Sequence, residues 1–274
     1  MLSHEKTHTI EELGQRLRRM ERSECRAEGV QASVGTGHSE LDSLLPGGGL
    51  MRGTLVEWIN AEGPGSGAVT LAILSASGLV GGWDGEDVSG CRGVLAVIER
   101  VGGFCPAAAA GLGVSPERML MVRAETESEW KWAVEQVLRS RAVDVVLTWA
   151  GGLDDRVFRR WQLAAERGGG VGMLVRPREV VPDASWASLR LLVGGRSGEG
   201  GNDRNDLSVR GESVSSGCGR SWSVRVLRGG LGTGAGRAGD EEREVCLELD
   251  DETGGLHLLP RLVCPAPPGV SAVG

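Results

Sequence analysis

A chain of 274 residues with 40% hydrophobic and 24% charged content can bury a core of its own and has the composition of an ordinary globular protein. Its net charge of −7 and pI near 5.3 exclude a protein that coats nucleic acid by bulk charge, but not a local basic patch. No run of about 18 apolar residues occurs, so no membrane span is predicted. The opening "MLSHEKTHTIEELGQRL" puts charges where a secretory leader has an apolar run, and the expected location is cytoplasmic. The six cysteines, Cys25, Cys91, Cys105, Cys218, Cys246 and Cys264, form no C-x-x-C and no metal-like pairing with the four histidines. They read as scattered reduced thiols, and neither metal nor cofactor is expected.

The first element is a helix from Thr9 to about Ser23. Thr9 caps it, Glu12 completes a capping box, and Ile10, Leu13, Leu17 and Met20 form one apolar stripe. Such a stripe docks either on the protein's own body or on a partner. Residues 1–32 are therefore read as this helix and a linker. A turn at Thr36-Gly37 and a short leucine helix then lead through "PGGG" into a strand over Thr54–Ile59. A helix follows over about Val69–Val80, then a buried strand over Gly93–Ile98.

From there helices and strands alternate. Helices are predicted over Pro106–Leu112, Glu127–Ser140 and Asp154–Arg167, and strands over Met119–Val122, Val143–Trp149 and Val171–Val175. Trp130, Val134, Val137 and Leu138 share one face of the second of these helices. Trp132, at i+2 from Trp130, falls on another face and is expected to be partly exposed. Strands alternating with helices of this length give βαβ units and an α/β fold with a largely parallel sheet flanked by helices. The pattern changes after residue 187. Residues 188–195 and 221–230 read as antiparallel strands flanking a polar, Gly/Ser-rich loop at 196–220, and "EVCLELDDETGGLHLLPRL" reads as a hairpin. Residues 264–274 show no core-forming pattern, which leaves 33–263 as the core domain.

One stretch between the first long strand and its helix, "AEGPGSGAVT", stands where a phosphate-binding loop belongs. A P-loop reads G-x-x-x-x-G-K-[ST]: backbone N–H groups surround the phosphates, the lysine neutralises them and the hydroxyl holds Mg²⁺. Counting back from Gly67, the first glycine position is Glu62, with Gly63 and Gly65 inside the loop. Ala68 takes the lysine position and Val69 the Mg²⁺ position. Thr70 has a hydroxyl but sits one residue late. At about 1.5–3 kcal/mol per charged hydrogen bond, losing the lysine and metal contacts removes roughly 3–6 kcal/mol of phosphate binding. The strand "VDVVLTW" ends in Thr148 and Trp149, where an ATPase needs a carboxylate for Mg²⁺.

The run "TGHSELDSLLPGGGLMRGTLVEWI", followed by "GLGVSPERMLMVRAETESEWKWAVEQVLRSRAVDVVL", resembles the entry and central strands of the RecA core. Together with "WQLAAERGGGVGMLVRP", it resembles the ImuA family, RecA-like accessory proteins of bacterial damage-inducible mutagenesis operons. The likeness covers roughly residues 33 to 195. It implies a RecA-like core with C-terminal antiparallel strands and an N-terminal helix. By the family order Glu99 falls on a strand-end acid, and Val101 on the position of RecA's water-activating glutamate. The resemblance also implies a non-catalytic adaptor in error-prone repair synthesis. Its expected partners are a Y-family polymerase-like protein, an error-prone replicative-type DNA polymerase, and RecA or its filament.

Two other readings stay open from the residues themselves: a RecA-like ATPase or recombinase with an unusual loop, and a damage-response protein resembling division inhibitors. Arg156, Arg159 and Arg160, with Trp161 nearby, are either a solvated helix face or a contact for DNA or a nucleoprotein filament. Arg176 and Arg178 lie where RecA would carry a DNA-binding loop, which is short here, so DNA contact is expected to be weak or indirect. Trp132, Leu13 and Leu17 are the remaining candidates for a partner surface.

Overall fold

The computed structural model describes residues 33–62, 65, 67–81, 93–196, 220–229, 244–250 and 255–259. The expected N-terminal helix with Leu13 and Leu17, the loop residue Gly63, most of the 196–220 loop, the tip of the C-terminal hairpin and the tail lie outside them.

In chain order the described elements are β1 (Ser33–Val34), α1 (Ser39–Leu44), β2 (Leu50–Met51), β3 (Thr54–Asn60), α2 (Ala68–Leu79), β4 (Leu95–Glu99), α3 (Pro106–Gly111), β5 (Met119–Arg123), α4 (Glu127–Arg139), β6 (Val145–Trp149), α5 (Asp155–Gly168), β7 (Val171–Arg176), β8 (Leu189–Arg196), β9 (Arg220–Gly229), β10 (Glu244–Leu249) and β11 (Leu256–Leu259). Short 3₁₀ turns precede β5, at Pro116–Arg118, and follow β7, at Arg178–Val180.

Nine strands form one sheet in the order β11-β10-β9-β8-β3-β7-β6-β4-β5. The six from β8 to β5 run parallel, and β9, β10 and β11 extend the β8 side antiparallel. The parallel strands are nearly continuous apolar runs because both of their faces are covered. Their side chains alternate between two cores. Val56, Trp58, Leu95, Val97, Val145 and Leu147 face α1, α2 and α3, whereas Leu55, Ala96, Ile98 and Val146 face α4 and α5.

Each helix fits its place. α2 is buried almost all round and carries no charge, as befits a helix inside the core. A side chain at its Gly78 would overlap the Thr36 carbonyl, so the Thr36-Gly37 turn packs directly on the helix backbone. α4 starts with a reciprocal capping box between Thr126 and Glu129. α5 starts on Asp154, whose carboxylate accepts from the N–H groups of Arg156 and Val157. The expected apolar stripe of α4 is the buried one: Trp130, Val134, Val137 and Leu138 all lie in the core, while Trp132 is 45% exposed.

Candidate functional site

The parallel strands β3, β4 and β6 point their C-terminal ends at one side of the sheet, where open α/β sheets bind ligands. An open cleft of about 1000 Å³ lies there. Val69, Thr70 and Ile73 of α2 form one wall, and the segment from Glu99 to Cys105 forms another. The rest is lined by α3, by Glu127 and Trp130 of α4, and by Trp149, Gly151, Gly152 and Arg220. The loop after β3 enters α2 through Gly67, which is left-handed at φ 96°. A side chain there would also overlap the Trp222 indole of β9, so both backbone conformation and space require glycine. Glu62 is exposed, Ala68 is fully buried as the first residue of α2, and Val69 and Thr70 are half-buried on the cleft wall.

Glu99 is the last residue of β4 and only 4% exposed. Both of its oxygens are engaged. Oε2 accepts from the N–H groups of Gly103 and Phe104, at 3.0 and 3.1 Å, and Oε1 accepts from Arg123 Nη2 at 2.8 Å and Nε at 3.2 Å. Burial works against its charge, but the Gly103, Arg123 and Phe104 hydrogen bonds together hold its pKa below the usual carboxylate value. A carboxylate held in this way anchors the turn at 100–104 and is a poor base. Val101, two residues on, is 82% exposed. At the end of β6, the Thr148 hydroxyl donates to the Ile98 carbonyl at 2.7 Å and accepts from Trp130 Nε1 at 2.8 Å. Trp149 meets Phe104 edge-on, with ring centroids 6.1 Å apart. Among the described residues no three His, Cys, Asp or Glu side chains converge to hold a metal. No described helix is long and apolar enough to cross a membrane.

No family model matches the chain. The ImuA protein of Caulobacter vibrioides (strain NA1000 / CB15N) is 31% identical over 170 residues, which cover 57% of this chain and 66% of that protein. The RecA protein of Chlorobium limicola is 30% identical over 115 residues, and that of Crocosphaera subtropica 33% over 115. Each of these RecA matches covers 42% of this chain and 30% of the RecA protein. The chain is an ImuA-like protein of the RecA fold. The mostly parallel sheet flanked by helices, with antiparallel C-terminal strands, agrees with that relationship.

The structure redistributes the arginines expected on the surface of this ImuA-like protein. Arg176 is not available to DNA or a partner: it is 2% exposed, lies over the Phe158 ring, and is paired with Glu57. Its Nε and Nη2 donate to the carbonyls of Ala150, at 3.2 Å, and Gly151, at 2.7 Å. Arg190 of β8 takes the other Glu57 oxygen and donates to the carbonyls of Val180, Val181 and Asp183. The buried carboxylate therefore ties the β6–α5 connection to the β7–β8 connection. Arg178 is exposed and donates to the Ala61 carbonyl at 2.8 Å, bracing the loop that enters α2.

Arg156, Arg159 and Arg160 do share the outer side of α5. Trp161 does not join them: it is fully buried, stacks edge-on against Trp130 and donates to the Lys131 carbonyl. The aromatic beside these arginines is Trp186, over which Arg159 lies at 4.4 Å. Neither Glu57 nor Arg190 stood out in the sequence. Nothing local marked Trp186, Arg123 or Trp222.

Proposed function

We propose that this chain is a non-catalytic, cytoplasmic RecA-like adaptor in SOS-induced, error-prone translesion DNA synthesis. The likeness to ImuA supports an accessory role in damage-inducible mutagenesis. In this reading the loop from Glu62 to Val69 is a degenerate P-loop, and the chain works through contacts with a Y-family polymerase-like protein, an error-prone replicative-type polymerase, and RecA or its filament. Contact with DNA is weak or indirect.

The observation that carries the non-catalytic part is Glu99. At the end of β4 on the cleft wall, it spends both oxygens on the Gly103 and Phe104 N–H groups and on Arg123. Ala68 and Val69 stand at the lysine and Mg²⁺ positions, so the loop lacks the side chains with which a P-loop neutralises phosphate and holds a metal. The experiment is to tag the chain in its own host, damage the DNA and identify what co-purifies. Recovery of a Y-family-like polymerase homologue or RecA supports the adaptor. Recovery of neither, or of cell-division proteins, removes the mutagenesis role, and Mg-ATP turnover by the purified chain removes the non-catalytic one.

A further inference from the structure

The outer side of α4 and α5 combines charge and apolar surface in an unusual way. α5 exposes Arg156, Arg159, Arg160 and Arg167 in a chain of net charge −7. The helix's two exposed acids are already engaged: Asp155 Oδ1 accepts from the Trp186 indole at 2.6 Å, and Glu166 Oε1 accepts from Gln162 Nε2 at 3.1 Å. Arg159 is stacked on Trp186, and Arg160 is paired across the helix gap with Glu135 of α4, which Arg139 also holds at 2.7 Å.

The same side exposes three large apolar side chains, Trp132 at 45%, Leu163 at 39% and Trp186 at 39%. A lone exposed apolar side chain needs no explanation. These are joined: Leu163 is one turn from Arg159, Arg159 covers Trp186, and Trp132 is three residues from the Glu135 that Arg160 holds.

We infer that this α4–α5 face docks a protein partner through an acidic amphipathic segment, with carboxylates meeting Arg156 and Arg159 and apolar side chains covering Leu163 and Trp132. Tryptophan and arginine around an aliphatic centre are the composition of interface hot spots. Arg159, Arg160 and Trp186 are already held by their neighbours, so binding immobilises little that is free. A single nucleic-acid strand also uses arginine and tryptophan, but it fits less well. Asp155 and Glu166 stand among the arginines, Arg160 is half-neutralised by Glu135, and Leu163 offers nothing to a base. The surface is argued from this geometry alone; the partner's role rests on the adaptor reading.

The test uses the full chain and three fluorescein-labelled probes. One is a synthetic peptide with Asp and Glu interleaved with Leu and Phe at helical spacing, the second is the same peptide with Ser for each Leu and Phe, and the third is oligo(dT). Wild type is expected to bind the first most tightly. Combining Arg156→Glu with Arg159→Glu should weaken it about tenfold or more, and Leu163→Asp should bring it to the level of the Ser peptide, each with an unchanged circular dichroism spectrum. Preference for oligo(dT), equal binding of the two peptides, or indifference to both variants would overturn the inference. The same variants, tagged in damaged cells, separate the two claims. If they still recover the polymerase homologue, the adaptor stands and this surface falls. If wild type recovers none while the peptide still binds here, the surface stands and the adaptor falls.

Discussion

Trp222 of β9 covers Gly67, the residue that turns the chain into α2. The C-terminal antiparallel strands are thereby fastened to the loop at the head of the parallel sheet, with Trp222 only 5% exposed. Gly67→Ala meets two penalties, a left-handed backbone at φ 96° and overlap with the indole. These amount to about 1–2 kcal/mol for the backbone and about 1–3 kcal/mol for overpacking. Gly65→Ala, at φ 101° but with nothing near its Cβ position, meets the first penalty alone. Urea denaturation should rank Gly67→Ala well below Gly65→Ala. Introducing Trp222→Ala should shrink the additional effect of Gly67→Ala towards that of Gly65→Ala, as a double-mutant cycle would reveal.

The Glu57, Arg176 and Arg190 cluster is buried, with side chains 0%, 2% and 9% exposed. Glu57 is the carboxylate that both arginines share, so Glu57→Gln leaves two buried guanidiniums uncompensated and should lower stability by about 3–5 kcal/mol. Replacing all three by apolar residues of similar size should cost less than Glu57→Gln alone, because no buried charge remains. Arg176→Met instead frees the Ala150 and Gly151 carbonyls from the guanidinium that donates to them. Hydrogen exchange should therefore quicken in the β6–α5 connection before the rest of the sheet is affected.

Glu99 makes stability depend on pH. Its folded-state pKa lies below the unfolded value. Its contribution is therefore complete above the unfolded carboxylate pKa and is lost as pH falls through the folded one. Glu99→Gln should lower the melting temperature near neutral pH by about 2–4 °C for each kcal/mol lost. The gap from wild type should narrow steadily as the pH is taken down through the carboxylate range, since a protonated Glu99 resembles glutamine. A gap that stays constant with pH would mean that the carboxylate charge is not what holds the 100–104 turn.

The order of strands and helices was legible because each parallel strand is a short β-branched or leucine-rich run and each outer helix carries an apolar stripe. Trp132 was legible as exposed because a residue two places from the buried Trp130 cannot share its face. What escaped is what depends on distant partners. An arginine at the end of a strand reads as surface, and Arg176 is buried only because Glu57, 119 residues away, meets it. Trp222 and Trp186 read as isolated aromatics until the fold brings Gly67 and Arg159 beneath them. The arginine face of α5 was visible as a pattern. Its pairing with Glu135 required the packing of α4 on α5.

Placing a lysine where the proposed degenerate P-loop has Ala68 is the sharpest test of the non-catalytic reading. Ala68 is fully buried among Leu71, Ala72 and the other apolar residues of the α2 core. Ala68→Lys therefore forces an ammonium into apolar packing, with no phosphate present to receive it, and should destabilise the chain by about 1–3 kcal/mol or more through overpacking and desolvation. Adding Val69→Thr supplies a hydroxyl at the Mg²⁺ position but no free carboxylate at the ends of β4 and β6, because Glu99 is committed to Gly103, Phe104 and Arg123 and β6 ends in Thr148 and Trp149. The double variant should show no Mg-ATP turnover in a phosphate-release assay, even at temperatures where circular dichroism finds it folded. Turnover would mean that the cleft retains a catalytic group and that lysine alone was missing. In that case Glu99→Gln in the same background decides the matter: loss of the rate would identify Glu99 as that group, released from its anchoring bonds when nucleotide binds.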